Sequence, residues 1–139
     1  MKKTFLIAAA LVSFTAFAFV GDVLGFEITI DVAPNVLNLQ RTDDKCVTVH
    51  TDIPYSDVNL NSVRLYGGIG SIAPYLCKSD LRGDLVAKFS MADIRELELE
   101  IDKNNTFTLT GNTIEIDGNV SDFSGDQDIL VVNNIPPGR

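Results

Sequence analysis

Apolar residues recur at every second position in one short segment after another, and turn-forming residues break the segments at intervals of about ten. Phe26-Glu27-Ile28-Thr29-Ile30-Asp31-Val32 is the first, and Val36-Leu37-Asn38-Leu39 resumes it beyond Pro34 and Asn35. Cys46 to Thr51, Val63 to Tyr66, Leu85 to Phe89, Thr106 to Thr110, Thr113 to Ile116 and Ile129 to Val132 follow. A two-residue period is the signature of a strand with one buried face, and it is incompatible with a bundle of amphipathic helices. Eight or nine such strands with scarcely any helix predict an all-β fold, an antiparallel sandwich of two sheets. Ile28, Val47, Val49, Leu65, Phe89, Leu109 and Val131 are the expected core between them. With 139 residues, 45% of them hydrophobic, there is material for one core and no second domain.

One stretch reads both ways. Met91, Ile94, Leu97 and Ile101 have helical spacing, whereas Leu97, Leu99 and Ile101 have strand spacing. The expectation is a helical turn over Met91 to Arg95, then a strand from Glu96. Asp102-Lys103-Asn104-Asn105 would turn that strand into the next as a hairpin.

The N-terminus has a different character. Lys2 and Lys3 precede an uncharged run from Thr4 to Val20, with Ala16-Phe17-Ala18 supplying small residues where a signal peptidase reads. Residues 1–18 are expected to be a cleaved secretory signal, with Gly25 as a second place where it could end. An uncleaved membrane anchor is the competing reading. Residues 19–25 then form a linking segment, 26–134 the sandwich and 135–139 a tail behind Pro136 and Pro137. Removing Lys2 and Lys3 leaves 9 basic against 19 acidic residues, a net charge of −10. Such a field repels phosphate backbones and anionic headgroups, which excludes nucleic-acid binding and charge-driven membrane binding.

The two cysteines, Cys46 and Cys77, have no metal-type spacing, and in an exported chain they are expected to form a structural disulfide; two free thiols are the other reading. A bridge would close a 31-residue loop, worth about 3 to 4 kcal/mol.

Catalytic equipment is sparse. His50 is the single histidine, so no one-chain multi-histidine metal site or histidine-dependent nucleophile is available, and a partly exposed strand residue is expected. Glu96, Glu98 and Glu100 fall two apart along one expected strand face, a solvated row rather than an acid–base pair across a cleft. Tyr55, Tyr66 and Tyr75 are the stacking tyrosines available to a sugar platform. Asp122-Phe123-Ser124-Gly125-Asp126-Gln127-Asp128 places oxygen-bearing side chains at every second position. If the backbone curls there, Asp122, Ser124, Asp126 and Asp128 could hold calcium; the alternative is a hydrated turn before the last strand. Its glycine and missing closing Glu depart from the EF-hand order. Arg82-Gly83-Asp84 spells an integrin-type tripeptide, but Asp84 is expected to open a strand; Asn104 and Asn119 head short glycosylation sequons.

Several of these segments together carry a resemblance. Ile28-Thr29-Ile30-Asp31-Val32-Ala33-Pro34 with Asn38, Val47 to Thr51, Asn61 to Leu65, Asp84-Leu85-Val86 with Phe89, Leu109-Thr110-Gly111, Asp117-Gly118, and Gly125 with Asp128 to Val132 span nearly all of the expected domain. They are similar to uncharacterised immunoglobulin-like β-sandwich modules of secreted bacterial proteins. The resemblance implies that fold and an exported location, and no activity. Such modules commonly carry an acidic, glycine-containing loop before the Asp-Leu-Val strand that could bind calcium. Here that loop is Lys78-Ser79-Asp80-Leu81-Arg82-Gly83, shortened and bearing two bases.

The expectation is therefore a periplasmic or extracellular, non-enzymatic binding or scaffold module. It would meet a protein or cell-surface partner as a monomer, or assemble edge to edge as a fibre subunit by strand addition. A hydrolase built on acidic residues is the third possibility.

Overall fold

In the computed structural model, which describes residues 25–40 and 46–134, the alternating segments form two packed β-sheets. The expected leader over residues 1–18, residues 19–24 and the tail over residues 135–139 lie outside the described residues. The strands are β1 (Gly25–Glu27), β2 (Ile30–Ala33), β3 (Val36–Asn38), β4 (Cys46–Pro54), β5 (Arg64–Tyr66), β6 (Ser71–Ile72), β7 (Leu76–Ser79), β8 (Asp84–Ser90), β9 (Lys103–Asn112) and β10 (Asp122–Val132). One sheet has the order β1-β10-β9-β5-β6, with β3 also paired to β10, and the other β2-β4-β8-β7. Val47, Val49, Leu65, Leu85, Ala87, Phe89, Phe107, Leu109, Ile129 and Val131 are fully buried between them. Ile28 packs against this core from a half-buried position.

The first alternating segment is not one strand. β1 runs parallel to the start of β10, with Phe26 opposite Phe123, whereas β2 lies antiparallel to β4 in the other sheet, with Val32 opposite Val49. β3 then returns to β10, placing Leu37 opposite Val131. Ile28 and Thr29 make the crossing. The Ile28 amide donates to the Ser124 carbonyl at 2.9 Å and the Thr29 amide to Asp52 Oδ1 at 2.9 Å. Gly125 makes room: a Cβ there would stand 2.5 Å from the Ile28 carbonyl oxygen and 3.0 Å from side-chain carbons of Ile28 and Ile30. Two residues along, Gln127 Oε1 accepts from the Val32 amide at 2.7 Å, so a side chain of one sheet satisfies a backbone donor of the other.

Two irregularities are also satisfied locally. The β4–β8 register shifts between His50 and Pro54, and the buried Thr51 hydroxyl donates to the Leu85 carbonyl at 2.7 Å across that gap. Gly111 faces Phe123 across the ladder; a Cβ at this glycine would come within 2.5 Å of the Phe123 ring, which lies over it. Phe26 joins this ring at 6.2 Å between centroids.

The expected helix is present as α1 (Met91–Arg95), capped by Ser90 Oγ, which accepts from the Asp93 amide at 3.1 Å. The expected strand after it is absent, and the hairpin turn is not over Asp102 to Asn105. Residues 96–102 instead plug one end of the sandwich, with Leu97 and Leu99 buried and Glu96, Glu98 and Glu100 exposed. Backbone partners come from elsewhere: the Leu97 carbonyl accepts from the Ile69 amide at 2.8 Å. Buried Asn105 in β9 accepts from the Glu100 amide at 2.8 Å and donates to its carbonyl at 2.9 Å, acting as a one-residue strand partner. Glu98 (φ 53°) and Asp102 (φ 60°) provide the left-handed turns. β6 and β7 arise in the stretch from Gly67 to Ser79, where Gly70 and Pro74 interrupt the two-residue period.

Gly125→Ala should lower stability by about 1 to 3 kcal/mol, because backbone rather than a side-chain tip blocks the methyl. The readout is a lower urea midpoint with an unchanged slope; an unchanged midpoint would mean that the crossing does not depend on this glycine.

Candidate binding face

Strand parity decides which side chains reach solvent. In β10, Phe123, Gly125, Ile129 and Val131 are buried, so Asp122, Ser124, Asp126, Asp128 and Leu130 project from the opposite, outer face of the sheet. In β9, Thr106, Thr108, Thr110 and Asn112 share that face, because Phe107 and Leu109 point inward. Register lines them into rows across the sheet. Glu27, Ser124, Thr110 and Arg64 form one row, Asp126, Thr108, Tyr66 and Ser71 the next, and Gly25, Asp122 and Asn112 a third.

These rows border an open groove of about 860 Å³, whose lining includes Glu27, Ser62, Tyr66, Thr110, Asn112, Asp122 and Ser124. Its polar groups are held in place. Asn112 Oδ1 accepts from Asn59 Nδ2 at 3.2 Å, and the Asn112 amide donates to Ser62 Oγ at 2.8 Å. Beyond the groove, Thr106 Oγ1 donates to Asp128 Oδ1 at 2.7 Å. The hydroxyls of Thr108, Thr110 and Ser124 have no hydrogen-bond partner among the described residues and face solvent. Arg64, the base in the central row, turns its guanidinium to the carbonyls of Val63 (2.7 Å) and Asn61 (3.1 Å). It does not pair with Glu27 or Asp122, and the groove keeps their negative charge. Tyr66, 45% exposed, and Phe26, 44% exposed, offer aromatic surface among the short polar side chains.

The expected calcium constellation lies within this face, with a different shape. Asp122, Ser124, Asp126 and Asp128 do not sit on a curled turn; they alternate along an extended strand paired with β9 through Asp128 opposite Thr106. Successive outward residues of a strand stand about 7 Å apart, too far for four oxygens to meet one ion at 2.3 to 2.6 Å. The loop implied by the resemblance does not fit calcium either. Asp80 Oδ1 accepts from the Arg82 amide at 2.8 Å and the Asp84 amide at 2.9 Å, closing the tight β7–β8 turn. The Asp84 amide, aided by the Arg82 amide and charge, holds this carboxyl below its ordinary value. Arg82 also reaches Asp84 at 3.5 Å, and Asp84 opens β8 as expected. Among the described residues no group of three or more His, Cys, Asp or Glu side chains is placed to hold a metal.

The expected disulfide is also corrected: Cys46 and Cys77 are free. Parity explains it. Cys46 in β4 pairs with Ser90 and shares the outer face with Thr48 and His50, whereas Cys77 in β7 pairs with Ala87 and packs toward the core. β8 lies between them, and the thiols point to opposite sides of one sheet. Burial pushes the Cys77 thiol above its ordinary value, while Cys46 hydrogen-bonds the Tyr75 hydroxyl and raises that phenol. His50 is exposed on β4, as the sequence indicated.

Comparison with known proteins finds no family model, no curated protein and no solved structure similar to this chain.

Two outcomes follow. Thiol titration of unfolded, unreduced protein should find two reactive groups, and reductant should leave the thermal midpoint unchanged; no reactive groups would restore the bridge. Asp80→Ala should lower the midpoint at neutral pH by a few degrees, and Asp80→Asn by less, since an amide oxygen can accept the same two N–H bonds. Because the folded carboxyl is more acidic than its reference of 3.8, its contribution is present above that pH and fades as pH falls through the folded value. The gap between parent and Asp80→Ala should therefore close in acid, and a gap that persists would assign the bonds to the neutral carboxyl.

Proposed function

We propose that this chain is an exported, non-enzymatic binding module of immunoglobulin-like topology, which takes a polyhydroxylated ligand on the outer face of its six-stranded sheet. The observation that carries the reading is the groove itself. The groove presents free hydroxyls, a fixed carboxamide, two carboxylates and the exposed rings of Tyr66 and Phe26. Hydroxyl, amide and carboxylate groups pair with vicinal hydroxyls, and an aromatic ring covers the C–H face of a sugar.

Topology supports the fold assignment. Taking β1 to β3 as one interrupted strand A, and β4, β5, β7, β8, β9 and β10 as B to G, the sheets read A-B-E-D and C-F-G, the immunoglobulin pairing, with β6 as an added edge. The basic and apolar N-terminal pattern from Lys2 to Val20 supports export.

Assembly by strand addition is favoured by a separate observation. β7 is an edge strand, flanked by Tyr75 at 58% and within it Leu76 at 44% exposure. The Asp80 amide bonds the Asp84 carbonyl, so by alternation Cys77 and Ser79 direct their N–H and C=O groups outward, free for another strand.

One pair of measurements separates the readings. Sedimentation over a concentration series should give a single monomeric species. In native gels cast with soluble neutral polysaccharides, the parent should be retarded by at least one, and Tyr66→Ala several-fold less. Polymer growth with concentration would favour the fibre subunit, and equal mobility of parent and Tyr66→Ala in every gel would remove the sheet face as the site.

A further inference from the structure

A second concavity lies at one end of the sandwich, where the chain crosses between sheets and the β9–β10 connection folds over. We propose that this cleft binds amphiphilic organic cations, small molecules that join an aryl or alkyl body to a protonated amine. Its volume is about 440 Å³, within the range of pockets that enclose small ligands. The floor is apolar: Ile53 is 3% exposed and Ile28 half-buried. Phe26 and Ile116 form its sides and are 44% and 41% exposed, leaving apolar surface open to solvent.

The rim supplies the charge. Glu27, Asp52 and Asp57 line the cleft, and among the described residues no Lys, Arg or His does. Asp52 is partly committed, since one carboxylate oxygen accepts from the Thr29 amide at 2.9 Å. Asp57 uses its backbone carbonyl to accept from the Ile114 amide at 2.9 Å, and its carboxylate has no partner among the described residues. An apolar floor beneath unpaired carboxylates suits an apolar body bearing a cation, and it rejects an anion of the same shape. The chain's net charge of −8 acts in the same direction.

The wall is built in advance of any ligand. The β9–β10 connection is a small hairpin in which the Thr113 amide donates to the Ser121 carbonyl at 2.9 Å and Thr113 Oγ1 accepts from the Ser121 amide at 3.0 Å. Ile116 and Asn119 exchange amide bonds of 2.9 Å around Asp117 (φ 53°) and Gly118 (φ 79°), a two-residue turn of the hairpin type. Ile116 is thereby held over the floor, and little ordering remains to be done on binding.

The test is methyl NMR on isoleucine-labelled protein, titrated with 4-phenylbutylammonium, 4-phenylbutyrate and 4-phenylbutanol. The amine should shift the Ile28, Ile53 and Ile116 methyls and leave Ile94 and Ile129 unmoved. The carboxylate should bind about tenfold more weakly, with the alcohol between them. Asp57→Asn removes one charge at constant shape and should weaken the amine several-fold without changing the alcohol; Ile116→Ser should weaken both. Unchanged Ile94 and Ile129 signals in each variant report an intact core. Amine and carboxylate binding alike, shifts confined to other methyls, or an amine indifferent to Asp57→Asn would each overturn the proposal. Asp57 and Ile116 do not line the groove of the six-stranded sheet, so either site can fail while the other stands.

Discussion

The fold depends on a close approach of two backbones. Where β10 passes beneath Ile28, Gly125 leaves the space that a Cβ would occupy, and the first segment of the chain slips from one sheet to the other through it. Gln127 then reaches across to the Val32 amide, so the gap between the sheets is bridged by a hydrogen bond where a β-ladder cannot continue. The N-terminal segment is thus bonded to both layers, and β10 is flanked by it at both ends through β1 and β3. A methyl at residue 125 or a lost acceptor at residue 127 would disturb sheet pairing as well as packing.

The same alternation that fills the interior sets the chemistry of the exterior. Each inward Phe107 or Leu109 of β9 fixes an outward Thr108 or Thr110, and the central strands give the six-stranded sheet a surface of hydroxyls and carboxylates. At the plugged end, Leu97 and Leu99 close the core without a strand: the Ile69 amide bonds the Leu97 carbonyl, and Asn105 bonds the backbone of Glu100. Gly68 is required there: a Cβ on it would strike the Leu97 carbonyl oxygen. At the other end, where the β9–β10 hairpin folds over, the core is not fully covered, and the cleft lined by Ile28 and Ile53 results.

Period-two hydrophobicity made the central strands legible. Val47 and Val49, Leu85 to Phe89, and Ile129 with Val131 behave as their spacing indicates, and so does the short helix at Met91. The break inside the first segment was hidden because Phe26, Ile28, Ile30 and Val32 keep their alternation through the crossing; the information lies in Gly125, about a hundred residues away. The first half of β10 reads as a turn since its inward positions include Gly125 and Gln127 rather than apolar residues, both dictated by the crossing segment. The cysteines fail to pair for a reason of parity: Cys46 precedes an inward Val47, but nothing near Cys77 reveals its face until β7 is aligned with β8. The groove and the cleft join residues distant in the chain, which no local pattern could assemble.

The parallel pairing of β1 with the beginning of β10 has a mechanical consequence. Gly25 stands beside Asp122, while β10 finishes beside Asn38 at the far end, so the first and last described strands leave the sandwich at opposite poles. Eleven residues of extended strand separate those poles, about 35 Å. Tension applied between the two ends runs along the strands and loads the β1–β10 rungs in shear, all together rather than one after another. A domain threaded this way resists separation of its two ends along the strand axis.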